Sequence, residues 1–261
     1  MRALDIASTG MQSQQLNVEV ISNNIANLNT TGYKRQRAEF QDLLYQSIRR
    51  PGDTSSDAGT VVPVGVQVGL GVKTAAVYRI HEQGNLNQTQ NPLDLAIQGK
   101  GFFQVLLPDG TTAYTRAGSF QLNNSRQIVT ADGYLVQPTI SIPQNTTSIT
   151  VNASGQVLAQ VAGSTTPQTV GQLQLATFAN NPGLAALGQN LLQETQASGN
   201  PSTVDPGVNS AGTIQQGFLE TSNVNVVTEI SSLITAQRAY EMNSKVIEAA
   251  DQMQQTLTNL R

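Results

Sequence analysis

The sequence predicts an α+β fold in which a mainly antiparallel β outer domain is inserted between N- and C-terminal helices that pair as a coiled coil. Apolar residues recur at three- and four-residue steps near both ends of the 261-residue chain, which is the spacing of a helix packed along another helix. Between the two ends, apolar and polar residues alternate in short runs separated by turn residues. This alternation is typical of antiparallel strands.

The N-terminal heptad pattern predicts a helix over residues 4–28, about 37 Å long at 1.5 Å per residue. The helix is expected to stop in the run at 26–34, because Asn, Thr and Gly offer the backbone other hydrogen bonds and positive φ angles. Gln14 interrupts the apolar positions. The predicted seam of this helix is Leu4, Ala7, Met11, Val18, Ile21, Ile25 and Leu28.

The C-terminal pattern predicts a second helix from Asn225 to Leu260, a span without Gly or Pro. Asn225 is suited to cap its first turn, and Thr228 and Glu229 suit the positive end of the helix dipole. Two interpretations stay open because both seams are narrow. Either the helices pair within an ordinary monomer, or they become ordered only when many copies pack together. The predicted seam is Ile230, Leu233, Ala236, Tyr240, Ile247, Ala250, Met253, Leu257 and Leu260, with the polar Asn243 among them.

The middle of the chain predicts strands and hairpins. Asp109-Gly110 and Asp132-Gly133 are turn signals between alternating segments. Residues 61–72 alternate Val with Gly or polar residues and predict one or two extended strands, in which Gly allows close approach of another backbone. Residues 180–212 are predicted to be mostly loop.

The predicted domain organisation is nested, with the two chain ends meeting. Residues 1–34 and 225–261 are expected to form a helical coiled-coil core domain. Residues 35–92 and 205–224 are expected to form a connecting domain with an extended stiffening stretch, and residues 93–204 an outer antiparallel β domain.

Composition excludes several classes of function. Charged residues make up 12% of the chain and the net charge is −3, so no basic surface indicates nucleic-acid binding. No apolar run approaches 18 residues, so no membrane insertion is expected. The chain has no Cys, which excludes disulfides, thiolate catalysis and Cys-based zinc sites.

Candidate catalytic residues are few. The single His, His81, lies in a polar turn beside an acidic residue, and Asp94, Asp109 and Asp132 lie in turn-like or strand-edge contexts. We therefore expect no enzymatic activity, no cofactor and no metal. Two alternatives are a carbohydrate- or peptide-binding β module with helical tethers, and a cell-wall hydrolase that depends on Asp94 or Asp132. Neither alternative needs heptads at both ends of the chain.

Four stretches of the sequence resemble the bacterial flagellar rod and hook protein family. Residues 22–34 are similar to its N-terminal signature, residues 93–103 to its core block, and residues 218–227 and 236–245 to its C-terminal signature. The chain length and the Gly/Val stretch at 61–72 most resemble the distal rod subunits, and hook or proximal rod subunits are the alternative. The matching N-terminal motif residues are Asn23, Asn24, Ala26, Asn27, Thr30, Gly32, Tyr33 and Lys34.

This resemblance implies a structural subunit of the flagellar drive shaft with no enzyme activity. Such a subunit is exported by the flagellar type III apparatus and polymerises with itself into a hollow helical tube that spans the periplasm and transmits torque to the hook. The implied partners are the proximal rod proteins, the hook-side junction, and the P and L ring proteins. We further hypothesise that the strands at 61–72 stiffen the shaft.

Overall fold

The computed structural model describes residues 2–52, 64–164 and 166–259 of the chain. It divides the chain into two compact units. The first, called here the helical unit, comprises Met1–Ile25, Gln36–Tyr78 and Asn225–Arg261. The second, the β unit, comprises Ala26–Arg35 and Arg79–Val224. The division into three domains stays a prediction.

Two long helices dominate the helical unit, and they flank the β-rich middle of the chain as predicted. Helix α1 ends two residues before the predicted boundary because Asn27 begins a turn, in which the Thr30 N–H donates to the Asn27 carbonyl at 3.2 Å. At the start of α2, the Asn225 side-chain oxygen accepts from the N–H groups of Val227 (3.1 Å) and Thr228 (3.3 Å), which confirms the predicted cap. The bounds are Arg2–Ala26 for α1 and Val226–Asn259 for α2.

The two helices pack together within the helical unit, which confirms the predicted pairing. Gly10 of α1 lies so close to α2 that a Cβ atom on it would come within 2.8 Å of the Asn243 side-chain nitrogen. A larger residue on α1 at this crossing would therefore have to displace the polar Asn243 side chain that faces it from α2.

The helical unit also contains two short antiparallel pairs, β1 with β4 and β2 with β3. Residues 35–50, for which the sequence allows either a strand or a short helix, form strands. Part of the stretch at 61–72 lies outside the described residues, and its remainder forms β3 and the start of β4. A Cβ atom on Gly65 would come within 2.5 Å of the Arg49 carbonyl oxygen, so the backbone that Gly65 approaches is that of its own hairpin. The bounds are β1 Gln36–Asp42, β2 Tyr45–Arg49, β3 Val66–Gly69 and β4 Val72–Arg79.

Within the described residues, the β unit contains a nine-stranded antiparallel sheet in which β7 is central. β7 pairs with β8, β11 and β15. A three-stranded sheet (β12-β13-β14) and two pairs, β6 with β19 and β5 with β20, complete the unit. The bounds are β5 Leu86–Gln88, β6 Leu95–Gln98, β7 Phe102–Leu106, β8 Thr112–Thr115, β9 Phe120–Leu122, β10 Ile128–Thr130, β11 Leu135–Gln137, β12 Thr146–Val151, β13 Gln156–Val161, β14 Gln168–Gln172, β15 Leu175–Thr177, β16 Ala185–Gly188, β17 Leu191–Gln193, β18 Ser202–Val204, β19 Thr213–Gln216 and β20 Phe218–Glu220.

The core of the β unit lies around β6 and β7, whose apolar side chains are almost completely buried. Phe103 and Phe120 meet there edge to face, with ring centroids 5.0 Å apart. Both predicted hairpin turns are confirmed, at Asp109-Gly110 between β7 and β8 and at Asp132-Gly133 between β10 and β11. Other core residues are Leu95, Ile97, Val105, Ala113, Ile128, Val136, Leu173, Leu175 and Ile214.

The prediction that residues 180–212 are mostly loop is confirmed, and the strands within this segment are short. They are the two strands of the hairpin β16–β17 and the strand β18. Gln189 and Asn190 take φ angles of 52° and 60° at the turn of that hairpin, and two consecutive positive values favour a tight hairpin turn. Gln at a positive φ is uncommon, so the sequence carries only a weak signal for this turn.

Candidate functional site

The predicted apolar seam of α1 lies on the side of the helix that is turned away from solvent. Ala7 and Ile21 are buried, and the other predicted seam residues of α1, together with Leu28 in the following turn, are half-buried. Ser13, Val20 and Asn24 are buried as well, so the covered face of α1 is broader than the heptad pattern indicates. The role of the seam in assembly stays a prediction.

The predicted seam of α2 is covered at some positions and exposed at others. Ala236 and Ala250 are buried, and Leu233 and Ile247 are half-buried. Three larger members of the predicted seam, Ile230, Tyr240 and Met253, are exposed. The side chain of Leu257 and the whole of Leu260 lie outside the described residues.

A second apolar surface, called here the outer row, runs along the opposite side of α2. At about 100° per residue, its positions lie about 120–180° around the helix from Ala236. Its members have exposed fractions between 44% and 79%. Arg238 and Lys245 lie on the same side of the helix, as does Glu241. The outer row is Val227, Ile230, Ile234 and Met242.

A groove in the helical unit lies between α1 and α2. Val18 and Tyr240 give it an apolar floor, and Glu19 and Glu241 give it an acidic rim. The remaining lining residues are Gln15 and Gln237. Glu241 borders both surfaces, whereas Arg238 and Lys245 give the outer row positive charges that the residues lining the groove lack.

Asn24, a residue of the N-terminal motif, joins three elements of the helical unit. Its side-chain oxygen accepts from the Gln36 N–H at 2.8 Å, and its nitrogen donates to the Gln36 carbonyl at 2.8 Å and to the Glu229 carboxylate at 3.2 Å. The amide thus pairs with β1 as a strand would, while it also holds the first turn of α2. Asn24 is buried, so these hydrogen bonds are shielded from water.

The β unit encloses a cluster of three charged residues, called here the charge cluster: Lys34, Arg116 and Glu220. One Glu220 carboxylate oxygen lies 2.6 Å from the Lys34 ammonium, and the other lies 2.8 Å from Arg116 Nε. The exposed fractions of the three residues are only 5%, 6% and 1%. Lys34 comes from the N-terminal motif and Glu220 from the C-terminal signature, so the cluster links segments that are 186 residues apart.

Backbone carbonyls take up further N–H groups of the charge cluster. Arg116 donates to the carbonyls of Gly99 at 2.9 Å and Gly101 at 2.7 Å through Nη1, and to that of Ile97 at 3.3 Å through Nη2. Lys34 donates to the Glu82 carbonyl at 2.6 Å. The Gly84 N–H donates to Glu220 at 2.9 Å. These contacts fix the loops around β6 and β7 to one carboxylate.

The charge cluster holds two cations and one anion, and this composition explains in which direction the pKa of each shifted group moves. Burial would raise the pKa of Glu220, but Arg116 and Lys34 outweigh burial and hold it below its ordinary value. Burial lowers the pKa of Lys34, and Glu220 offsets this only in part because Arg116 repels the same ammonium. The carboxylate therefore stabilises two cations that would otherwise be isolated.

Backbone bonds reinforce the junction between the two motifs. The Gly32 N–H donates to the Glu220 carbonyl at 2.8 Å, and the Arg35 N–H donates to the Asn223 side chain at 2.7 Å. Gly32 has a φ of +70°, and a Cβ atom on it would come within 2.7 Å of the Ala117 nitrogen. The Gly of the motif is thus required for close packing as well as for its φ angle.

Two of the acidic residues considered as catalytic candidates, Asp94 and Asp109, accept hydrogen bonds from neighbouring residues of the chain. Asp94 is buried and accepts from the Asn91 side chain at 2.9 Å, and Asp109 accepts from the N–H (2.9 Å) and hydroxyl (2.7 Å) of Thr111 inside its turn. Within the described residues, no group of three or more His, Asp or Glu side chains is arranged to hold a metal. Neither helix, over its described length, is long and apolar enough to cross a membrane.

Arg116 is the important residue of the site that sequence reasoning missed. An isolated Arg after a strand gives no periodic signal, and its role depends on the meeting of Lys34 and Glu220 in the fold. Lys34 and Glu220 lie inside stretches that the sequence singles out, so two of the three members of the charge cluster could have been found.

Three models of protein families match the chain. The model described as "Flagella basal body rod protein" matches residues 4–34, and "Flagellar hook protein FlgE/F/G D1 domain" matches residues 96–159. "Flagellar basal body rod FlgEFG protein C-terminal" matches residues 215–260. These spans contain both helices and part of the β unit.

The chain is also similar over its whole length to curated proteins. It is 62% identical over 261 residues to the flagellar basal-body rod protein FlgG of Caulobacter vibrioides, covering 100% of both chains. It is 54% identical over 253 residues to the protein of that name from Agrobacterium fabrum, covering 97% of each. With that of Bacillus subtilis the identity is 39% over 267 residues, covering 100% of this chain and 99% of the other.

Proposed function

Since the chain belongs to the flagellar basal-body rod protein family and is closest to its distal rod subunits, we propose a specific way in which copies of it join. The protein is a structural subunit of the flagellar basal body and not an enzyme. In our proposal, the outer row of α2 on one copy docks into the groove between α1 and α2 on the next copy.

The exposed outer row is the observation that carries this proposal. Four apolar side chains on one side of the 34-residue helix form a surface that a monomer gains nothing by exposing. Burial against another copy would remove this surface from water, at roughly 25 cal/mol per Å² of apolar area. Repeated along the helix, that gain is large enough to drive assembly.

Charge complementarity supports a second copy as the occupant of the groove. Arg238 and Lys245 flank the outer row, whereas Glu19 and Glu241 form the rim of the groove. Docking would bring opposite charges together around an apolar centre, which favours one register over others. Because two different surfaces meet, the contact is heterologous, and an open helical polymer results if the rotation between successive copies does not close into a ring.

The β2–β3 hairpin offers a second candidate surface between copies. Leu44, Tyr45, Ile48 and Val66 are exposed on or beside it, although each is apolar or aromatic. We propose that a neighbouring copy covers this hairpin and that the added contact stiffens the shaft. This proposal keeps the stiffening role that the sequence suggests for the stretch at 61–72.

The wider setting is proposed from the family. The subunit would be exported by the flagellar type III apparatus and would polymerise into a hollow helical tube across the periplasm. It would contact proximal rod proteins on one side and the hook-side junction on the other, and the P and L ring proteins would surround it. In this setting the polymer transmits torque to the hook.

The test replaces an outer-row residue with a charged one and measures assembly of the full-length protein. Ile234→Asp would place an unpaired carboxylate in an apolar contact, so the critical concentration for polymers should rise at least about tenfold. Asn124→Asp adds the same charge at an exposed position of the β unit and should leave assembly unchanged. Sedimentation and electron microscopy provide the readout, and circular dichroism verifies that the variants fold.

A charge exchange tests the register of the contact. Arg238→Glu alone should weaken assembly, and combining it with Glu19→Arg should restore it, because the two residues would then meet with reversed signs. Normal assembly of Ile234→Asp, or failure of the double variant to recover while Arg238→Glu alone is impaired, would contradict docking of the outer row into the groove.

A further inference from the structure

The β unit contains a cavity beside the charge cluster, and the docking of copies proposed above does not involve it. Its volume is about 260 Å³, room for several waters at roughly 30 Å³ each. Lys34, Lys100 and Arg116 bring three cationic side chains to its wall, and no acidic residue is among the described residues that line it. The other lining residues are His81, Gln83, Gly99, Gly101, Phe102 and Asn181.

The buried charges beside this cavity do not balance. Glu220 is the one buried carboxylate that the described residues place against Lys34 and Arg116, and the exposed Glu82 carboxylate acts only weakly on Lys34, so the buried positive charge exceeds the buried negative charge. The carbonyls that accept from these cations contribute dipoles but no charge. Buried ions are normally paired, which makes an excess cation next to an open space a binding feature for an anion.

Hydrogen-bond donors remain available on both buried cations. An ammonium has three N–H groups, and Lys34 uses two of them, on Glu220 and on the Glu82 carbonyl. A guanidinium has five, and Arg116 uses four, on Glu220 and on three backbone carbonyls. Lys100 is exposed at the wall, and its ammonium adds a mobile charge.

His81 supplies the second, independent observation. Its Nδ1 is buried and has no hydrogen-bond partner among the described residues, while its ring packs edge to face on Phe102 at 5.7 Å. A buried nitrogen without a partner is costly, and a ligand in the cavity would remove that cost. In the protonated imidazole this nitrogen donates, so it can bind an anion.

From this geometry we propose that the cavity binds an oxyanion through Lys34, Lys100, Arg116 and His81. The oxyanion is either a free inorganic anion or the carboxylate of an acidic side chain from another copy of the chain. Both present the same chemistry, which is negatively charged oxygens that accept from N–H groups. The site is independent of the outer row, so its test does not require polymers.

Anion binding should be coupled to the protonation of His81. Burial, followed by Lys34, Arg79 and Arg116, lowers the pKa of His81 to about 4. A hydrogen bond with the Asn181 backbone acts in the opposite direction but does not cancel these effects. An anion in the cavity would offset the cations, and the pKa of His81 would rise.

The chain offers an unusually clean probe because His81 is its only histidine. The side-chain NMR signals of the monomer are titrated with pH in sodium sulfate and in sodium chloride of equal ionic strength. Sulfate should raise the pKa of His81 by about one, which corresponds to about tenfold tighter sulfate binding to the protonated form. Lys100→Gln should weaken sulfate binding about fivefold, whereas Lys73→Gln, at an exposed position of the helical unit, should not change it.

A second arm identifies a carboxylate from another copy. Rods isolated from cells are treated with a carbodiimide, which joins an ammonium to a carboxylate in direct contact, and Lys100 cross-links are located by mass spectrometry. A sulfate effect on the monomer supports a free anion as the occupant. No sulfate effect but a cross-link from Lys100 to an acidic residue of a second copy supports the carboxylate. Absence of both overturns the proposal.

Discussion

Replacing Glu220 by Gln tests how much of the stability of the β unit rests on one carboxylate. The substitution keeps the size of the side chain and one of its two acceptor oxygens. It removes the negative charge that faces Lys34 at 2.6 Å and Arg116 at 2.8 Å. The new amide N–H groups would also point at one of the cations, so at least one charge-assisted hydrogen bond is lost outright.

The expected loss in the free energy of unfolding is about 3–5 kcal/mol, the range measured when one partner of a buried pair is removed. The upper part of this range is the better expectation here, because two buried cations lose the same counter-charge. The cost arises mainly from leaving Lys34 and Arg116 charged and unpaired inside the protein, rather than from the lost attraction itself. It should be nearly constant between pH 6 and 8, since the pKa of Glu220 lies below its ordinary value and the carboxylate is ionised throughout.

Urea denaturation of the monomer followed by far-UV circular dichroism and tyrosine fluorescence measures this loss, as the chain has no Trp. Glu194→Gln is the matched control: Glu194 is exposed and accepts a long hydrogen bond from the Tyr114 hydroxyl, at 3.5 Å, so its loss should change stability by less than about 1 kcal/mol. A cost below about 1 kcal/mol for Glu220→Gln, with an unchanged urea dependence, would refute the reasoning.

Three further predictions concern backbone, side chain and pH. Gly32→Ala should lower the free energy of unfolding by at least about 2 kcal/mol more than Gly110→Ala does in the same assay. Both substitutions place Ala at a positive φ, but only at Gly32 would the Cβ contact backbone atoms. Equal losses would show that the backbone around Gly32 moves aside easily. Asn24→Ala should lower the free energy of unfolding by about 3 kcal/mol, because it removes the amide that bonds two backbone groups of β1 and a carboxylate of α2. The loss of helical signal on denaturation measures this change, and a value below about 1 kcal/mol would mean that water replaces the amide. The folded-state pKa of His81, about 4, lies below the 6.5 of a free imidazole, so the unfolded chain binds the proton first and stability falls as pH drops from about 6.5 towards 4. The loss should be about 2 kcal/mol between pH 7.5 and 5 in sulfate-free buffer, and His81→Gln should remove it; an equal loss in that variant would assign the effect to carboxylates instead.

The helices and most hairpins could be predicted because their signals are local. Heptad spacing depends only on neighbouring turns of a helix, and Asp-Gly pairs fix a hairpin through the φ angles of two residues. The cap at Asn225 and the stop after Ala26 follow from the chemistry of single side chains. These features are settled within a dozen residues, so tertiary structure has little opportunity to override them.

Features that depend on distant parts of the chain could not be predicted in this way. The charge cluster requires Arg116 to bond to a carboxylate 104 residues away in the sequence, and no periodic pattern predicts that contact. The outer row was missed for a different reason: a heptad analysis looks for one apolar stripe, and α2 has two. Ile230 belongs to this second stripe on the opposite side of the helix, which explains why a predicted seam residue is exposed.

The link between Lys34 and Glu220 also dictates an order of events for the chain. Lys34 is synthesised early, yet its carboxylate partner follows 186 residues later, when most of the polypeptide has been made. Closing a loop of that length costs about 4–5 kcal/mol of chain entropy beyond the constant term, so the pairing cannot precede the strands that shorten the loop. The N-terminal motif and the start of the C-terminal helix are thus among the last parts to be fixed. A chain with this contact order stays incompletely folded until the segment around Glu220 is available, which is compatible with the export in an unfolded state that we propose.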